Sequence, residues 1–381
     1  MKIGINQISF YIPKYYLDLK TLAKARGVDP LKYTNGLLQK KMSVAPLSQD
    51  PVSMGANAAL QILKSEDIKD IDLVLFSTET GNDYSKSAST HLLSLLGLKK
   101  EVRAIELKQA CYAVTAALYF AKGHILQNPS SKVLVIGSDI ARYGLNSDGE
   151  PTQGAGAVAM IIAKNPKIMV LNDEYGIYSE DIYDFFRPNG SDYAVVDGKF
   201  SNEMYKKMFQ ETFNRYQEKT HQTLNDFKAL IYHIPYSKIG LRSLQMITNE
   251  SEKPELFRNY QASIKYNQEV GNIYTGSLFL SLISLLENGK LKANDLVGMY
   301  SYGSGAVAEF FTGKLVRGYK KQLHKDFHKN LLKNRVKLNM KTYESLITTT
   351  IKQDIVLELD KEVLVQLKCI ENQRRIYQKK D

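Results

Sequence analysis

Gln153-Gly-Ala-Gly-Ala-Val-Ala-Met160 and Tyr302-Gly-Ser-Gly-Ala-Val-Ala-Glu309 are near copies of each other, set in the two halves of the chain. Upstream of the first copy, a strand-like run leads to Glu79, and Cys111 opens a helical pattern. Upstream of the second, a strand-like run leads to His233, and Asn272 opens a helical pattern. The same order of a polar residue at a strand end, a polar residue at a helix start and a glycine-rich turn therefore occurs twice. A repeat unit this long excludes a solenoid and reads as a duplicated domain. The expected halves are residues 1-166, with Glu79 and Cys111, and 167-381, with His233 and Asn272.

Working outward, apolar runs that end in polar residues predict strands at Ile71–Phe76, Lys132–Gly137 and Phe227–Tyr232. Periodic apolar patterns predict helices over Pro51–Ser65, Ser85–Leu96, Tyr112–Gln127 and Asn202–Lys219. Strands alternating with helices make an α/β protein. The uncharged stretch Val270–Leu286 is too short and too polar to span a membrane and reads as a helix buried on all sides.

With 381 residues, 44% of them hydrophobic and 24% charged, the chain has the composition of a soluble globular protein. Its two cysteines, Cys111 and Cys369, make neither a disulfide framework nor a zinc set, and fit a reducing cytoplasm. The N-terminal MKIGINQISFYIPKYY lacks the apolar core of a signal peptide and reads as a first strand closed at Ile12-Pro13. The net charge of +11 is drawn largely from Lys314–Lys341 and the C-terminal RRIYQKKD, and reads as a solvated basic face. Neither a nucleic-acid-binding module nor aromatics interleaved with the basic residues is present. Attraction of a polyanionic small molecule such as coenzyme A is the remaining use for such a charge.

Cys111 lies in Glu106-Leu-Lys-Gln-Ala-Cys-Tyr-Ala-Val-Thr-Ala-Ala-Leu-Tyr-Phe-Ala-Lys-Gly123. At a helix N-terminus, the macrodipole and unpaired N–H groups would lower its pKa and favour the thiolate. A lone cysteine is more commonly a buried inert one, and this segment alone leaves both readings open. His233 at a strand end carries the same ambiguity. His324 and His328 have metal-ligand spacing but no third ligand and many lysine neighbours, so they read as a solvated face, and no metal is expected. Glu79, Cys111 and His233 on duplicated halves would together supply a base, a nucleophile and an oxyanion-side partner. Neither glycine turn extends to a dinucleotide fingerprint and no P-loop occurs, so no cofactor is expected.

These residues carry a further pattern. Ser53-Met-Gly-Ala-Asn-Ala-Ala59, Ala110-Cys-Tyr-Ala113, Ala141-Arg-Tyr-Gly-Leu-Asn146 and Gly149-Glu-Pro-Thr-Gln-Gly-Ala-Gly-Ala-Val-Ala-Met160 are part of it. Tyr183-Asp-Phe-Phe-Arg-Pro188, Glu269-Val-Gly-Asn-Ile-Tyr-Thr-Gly-Ser277 and Ser301-Tyr-Gly-Ser-Gly305 complete it. Over nearly its whole length the chain resembles bacterial-type 3-hydroxy-3-methylglutaryl-CoA (HMG-CoA) synthases. The resemblance implies a thiolase-like fold, two similar α/β halves layered α-β-α-β-α, in a cytoplasmic homodimer of the mevalonate pathway. It also implies that Cys111 takes acetyl from acetyl-CoA, Glu79 acts as general acid and base, and His233 holds the keto oxygen of acetoacetyl-CoA. Hydrolysis would then release HMG-CoA.

By the same resemblance Asp29, Thr152, Ser201, Asn272 and Ser304 match acyl-CoA contacts. Tyr143, Phe185 and Arg187 would line or support the acyl pocket, and Lys238 and Arg242 would pair with CoA phosphates. The amides of Cys111 and Ser304 would serve the enolate oxygen. The chain departs from the family pattern at Arg242, Gln109, Ala116 and the bulky Gly81-Asn-Asp-Tyr84, the last of which could reshape the pocket. Three alternatives remain at this stage: the same chemistry on carrier-bound acyl chains, a fatty-acid-type ketoacyl synthase, or a non-catalytic basic binding protein.

Overall fold

The computed structural model describes residues 1–351 and 353–380. Its main sheet uses β1 (Ile3–Tyr11), β2 (Ile71–Ser77), β3 (Arg103–Leu107), β4 (Lys132–Ala141) and β5 (Gly154–Lys164) from the first half. The second half contributes β6 (Met169–Ser179), β7 (Phe227–Tyr232), β8 (Leu296–Gly303) and β9 (Val307–Leu315). The strand order is β7-β8-β9-β6-β1-β5-β4-β2-β3.

Pairing directions expose the duplication. Outward from β1, the β1–β5 and β5–β4 pairs are antiparallel and β4–β2 is parallel. Outward from β6, the β6–β9 and β9–β8 pairs are antiparallel and β8–β7 is parallel. The halves meet where Gly4 and Ile5 of β1 pair with Val170 and Met169 of β6. Only the first half adds an outer strand, β3, parallel to β2.

Strand alternation sorts the helices into layers, because successive side chains point to opposite faces. Leu73 and Leu75 of β2, with Ala229 and Ile231 of β7, enter one shared core. That core holds α3 (Ala113–Gln127), through Val114, Ala117 and Ala121, and α6 (Ser277–Asn288), through Leu278, Leu282 and Leu285. The intervening Val74 and Phe76 instead face α1 (Pro51–Leu60) and α2 (Ala88–Leu95). Leu230 and Tyr232 face α4 (Gly198–Thr220) and α5 (Pro254–Ser263). The expected α-β-α-β-α layering results, with a thiolase-like architecture. The middle helix layer is packed on both sides, which is why α6 is buried almost all round.

Two expectations are corrected. The helix expected over Val270–Leu286 is interrupted, since one helix ends at Val270 and α6 starts at Ser277. Gly271 breaks it, with φ of +87° and its α-carbon pressed so close to the Gln153 carbonyl that an added Cβ would sit 2.0 Å from the oxygen. His328 is not on a solvated face. It lies on α7 (Lys325–Lys333) with no solvent exposure, stacked on Phe10 and bonded through Nδ1 to Glu287 at 2.7 Å. Lysines in sequence pointed outward there, whereas the helix turns its histidine face to β1.

Candidate active site

The turn after β2 is folded around a carboxylate on the neighbouring strand. Asp139 of β4 accepts through Oδ1 from the Thr78 and Thr80 hydroxyls at 2.8 and 2.7 Å and from the Glu79 and Thr80 amides at 2.9 and 3.1 Å. Its Oδ2 accepts from the amide and hydroxyl of Thr275, at 3.1 and 2.5 Å. One buried side chain thus fixes the Glu79 turn and ties it to the turn before α6 in the other half. Asp139 lies just beyond the predicted strand Lys132–Gly137 and was not singled out in the sequence. The strand-end signal that singled out Glu79 and His233 applied to it equally.

Cys111 lies two residues before α3, in a turn where Ala110 takes a left-handed φ of +42°. Gly303, the last residue of β8, lies against this turn, and a Cβ there would meet the Gln109 carbonyl at 2.6 Å and the Tyr112 amide at 2.7 Å. The start of α3 is further anchored to the second half by Tyr112, whose hydroxyl donates to Glu309 at 2.5 Å, and by Thr115, which donates to Ser301 at 2.8 Å. These contacts place the Cys111 thiol 3.0 Å from Oε1 of Glu79.

The electrostatics differ from the helix-dipole expectation. Burial pushes the Cys111 thiol up, and the adjacent Glu79 carboxylate pushes it further. Burial and nearby Asp139 raise the Glu79 carboxyl to about 8. Both shifts favour the uncharged thiol and carboxylic acid, because desolvation disfavours either charge. The dipole of α3 does not dominate, since Cys111 precedes the first turn and a carboxyl group stands beside it.

His233 follows β7, with its amide donating to the Tyr300 carbonyl of β8 at 2.7 Å and its carbonyl accepting from the Tyr205 hydroxyl of α4 at 2.6 Å. It is 2% exposed, and burial lowers its pKa to about 3, so the ring is neutral. Its Nδ1 has no hydrogen-bond partner among the described residues. A buried ring nitrogen without a partner is uncommon.

Tyr143, Phe185 and Tyr274 form an aromatic cluster with centroid separations of 5.9, 6.1 and 5.8 Å. Charge on Cys111 and Glu79 acts on the Tyr143 phenol, which burial already raises, so the cluster adjoins the pair. Asn272 donates to the Tyr143 hydroxyl at 3.4 Å, its amide donates to the Thr152 carbonyl at 3.0 Å, and its Oδ1 accepts from Ser277 at 2.8 Å. Arg187 donates to the Glu79 carbonyl at 2.5 Å.

Ser201 donates to Asp184 at 3.0 Å, and Asp184 also accepts from Tyr302 and from the Gly305 amide, which frames Ser304. Asp184, Tyr274 and Glu309 were not singled out in the sequence. Their roles arise from contacts between distant segments.

Asp29, Lys238 and Arg242 form a separate group. Asp29 is exposed and caps the short helix Pro30–Thr34, Lys238 reaches the Asn35 carbonyl at 3.0 Å, and Arg242 is exposed. The bulk of Gly81–Tyr84 is directed away from the cluster at its end, where Tyr84 is 90% exposed. Among the described residues no group of three or more His, Cys, Asp or Glu side chains is arranged to hold a metal ion, and no helix is long and apolar enough to cross a membrane.

Comparison with known proteins adds a consistent set of likenesses. Residues 1–167 match the family model described as hydroxymethylglutaryl-coenzyme A synthase N terminal, and residues 169–254 and 242–362 match its C-terminal counterpart. The chain is 47% identical to the hydroxymethylglutaryl-CoA synthase of Enterococcus faecalis, over 99% of this chain and 100% of that one. It is 33% identical to the polyketide biosynthesis 3-hydroxy-3-methylglutaryl-ACP synthase PksG of Bacillus subtilis (strain 168), over 90% of this chain and 87% of that one. A crystal structure of an HMG-CoA synthase complexed with CoA superposes with a TM-score of 0.96 at 42% identity, covering 100% of both chains. A structure of MvaS in complex with 3-hydroxy-3-methylglutaryl coenzyme A gives 0.92 at 30% identity, covering 100% of this chain and 99% of that one.

Proposed function

This chain belongs to the hydroxymethylglutaryl-CoA synthase family, and from that premise we propose how its residues carry the reaction. It condenses acetyl-CoA with acetoacetyl-CoA and water to give HMG-CoA and free CoA, serving the mevalonate route to isoprenoids. The observation that carries the assignment of residues is the 3.0 Å contact between the Cys111 thiol and the Glu79 carboxyl group.

In the first step the ionised Glu79 carboxylate takes the thiol proton as sulfur attacks the acetyl carbonyl of acetyl-CoA. The carbon–sulfur bond to CoA breaks, and Glu79 returns the proton to the departing thiolate. The acetyl group is then a thioester on Cys111, and a thioester acidifies its α-hydrogens more than an oxygen ester does. Glu79, now next to the acetyl methyl, removes one of these protons. The resulting enolate carbon attacks the ketone of acetoacetyl-CoA, and Glu79 protonates the new alkoxide. Water finally cleaves the Cys111 thioester to the free carboxylate, completing HMG-CoA.

His233 supports this scheme as a neutral hydrogen-bond donor. Its lowered pKa keeps the imidazole uncharged, so it binds the ketone oxygen without supplying a proton needed elsewhere. The amides of Cys111 and Ser304 serve the enolate oxygen. Tyr143, Phe185 and Arg187 shape the acyl site, with Thr152, Ser201 and Asn272 contributing to ligand contact. Asp29, Lys238 and Arg242 form the rim that receives the CoA phosphates. The two functional halves are residues 1-166 and 167-381, divided in the short link between β5 and β6.

A cytoplasmic homodimer completes the proposal. The edge strand β3 carries half-exposed Ile105, and α3 exposes Tyr119, Phe120 and Leu126, an apolar surface suited to a second copy. The test is incubation with acetyl-CoA followed by intact-mass analysis. Wild type gains about 42 Da, the mass of an acetyl group on sulfur, and Cys111→Ala gains nothing. Acetoacetyl-CoA then discharges the adduct. Acetylation that resists acetoacetyl-CoA but is discharged by a carrier-bound β-ketoacyl chain would replace the CoA acceptor with the carrier.

A further inference from the structure

Behind the Glu79 turn lies a polar cavity of about 200 Å³, walled by Thr80, Gly81, Arg142, Arg187, Ser191 and Asp192 among others. By size it holds several waters or one small ion with part of its hydration shell. Arg142 follows β4 directly and is largely buried, which lowers its pKa. Among the described residues the arginine ion pairs run through Arg26, Arg215, Arg335 and Arg375, and neither Arg142 nor Arg187 takes part in one. Asp192 acts on Arg142 as an opposite charge but makes no ion pair with it, and Arg187 opposes that effect. A guanidinium withdrawn from water without an ion-pair partner is costly, and the usual remedy is an anion.

Apart from Gln49, whose Nε2 has no partner among the described residues, most other polar groups on the wall are already engaged. Arg375 is paired with Asp50 at 3.2 Å. The hydroxyls of Thr80, Ser191, Thr349 and Thr350 donate respectively to Asp139, to the Tyr193 carbonyl, to the Ser345 carbonyl and to Asp192. Arg187 uses one nitrogen on the Glu79 carbonyl and retains the rest of its donors. With Asp50 and Arg375 cancelling, Arg142 and Arg187 leave one positive charge over Asp192. The cavity therefore carries more cationic donors than the single carboxylate of Asp192 balances.

We propose that this cavity is a binding site for a small oxyanion, a phosphate or a short-chain carboxylate, gripped between the guanidinia of Arg142 and Arg187. Their planar forks suit the oxygen pairs that both ligand types present. The site is distinct from the rim at Lys238 and Arg242, and it touches the reaction centre only through Arg187 and the Thr80–Gly81 backbone. It does not depend on which acyl acceptor the chain uses.

Isothermal titration of the full chain with sodium phosphate and, separately, sodium malonate tests this, with ionic strength held constant by sodium chloride. Wild type is expected to bind one equivalent of at least one anion in the millimolar range or tighter. Preference for phosphate or malonate identifies the source of the oxyanion. Arg142→Gln should weaken that binding about tenfold or more, yet melt no lower than wild type in anion-free buffer, because it removes a largely buried charge that makes no ion pair. Arg142→Lys, which keeps the charge and loses the fork, should bind with intermediate affinity and serves if the glutamine variant does not fold. Absence of saturable binding by wild type up to about 10 mM, or binding unchanged in the Arg142 variants, would overturn the proposal.

Discussion

The thiol of Cys111 donates to Oε1 of Glu79 at 3.0 Å, across 32 residues of sequence. The partners are not electrically symmetrical. The carboxylate raises the thiol pKa, whereas the thiol hydrogen bond lowers that of the carboxyl group, opposing part of the rise caused by burial. Replacing Glu79 by Gln therefore removes the proposed base and a nearby negative charge together. Glu79→Gln should shift the pH midpoint of Cys111 alkylation by iodoacetamide downward. Overall condensation should fall by about 10²- to 10⁴-fold, the scale of a lost general base. An upward shift of the alkylation midpoint would refute the electrostatic account.

The pH profile follows from Glu79. Its carboxyl must be ionised to accept a proton, and it ionises near 8 in the enclosed site. Initial rates of condensation should climb through that pH, while His233, ionising near 3, adds no limb above pH 5. Stability runs the other way. Between the ordinary value of 4.5 and about 8, the folded chain retains the Glu79 proton that the unfolded chain has released, so this contribution falls as pH rises. For His233 the window is 6.5 down to about 3, and its contribution is lost as pH falls. Denaturant titrations should show a shallower loss between pH 4.5 and about 8 in Glu79→Gln than in wild type.

Glu309 offers a test outside the reacting pair. It accepts from Tyr112 at 2.5 Å, and burial raises its carboxyl to about 7. Glu309→Gln retains an acceptor but carries no charge. Near pH 5 the variant and wild type should unfold at similar denaturant concentrations. Above pH 8 the variant should be more stable by about 2 kcal/mol, since only wild type must ionise in a buried setting.

Asp139 should be intolerant of amidation. Six hydrogen-bond donors converge on its two oxygens. In Asp139→Asn one of these oxygens becomes an NH₂ group facing donors. A stability loss of about 3 kcal/mol by chemical denaturation is expected. Acetyl transfer to Cys111 should slow as the Glu79 turn loosens. An unchanged acetylation rate would show that the turn holds its geometry without this hub.

Gly271→Ala probes the link between halves. The position has φ of +87°, and an added Cβ would lie 2.0 Å from the Gln153 carbonyl oxygen. Backbone must move to admit it, which should cost about 2 kcal/mol or more in thermal or chemical unfolding. Because Asn272 follows directly, the same shift should weaken acyl-CoA binding, seen as a raised KM.

Much of this architecture was legible in the chain itself. Gln153–Met160 and Tyr302–Glu309 pointed to a repeated order of elements, and the strand at Phe227–Tyr232 and the helix body at Ala113–Gln127 appeared where apolar periodicity put them. Those features are local, and local pattern encodes them. The meeting of Cys111 with Glu79, the Asp139 hub across both halves, and the burial of His328 join residues far apart in sequence. So does the reversal of the thiol's expected acidity. A helix dipole can be read from a segment, but desolvation depends on what the rest of the fold places around a group. For Cys111, burial beside Glu79 outweighed the helix start, and only the tertiary structure could decide it.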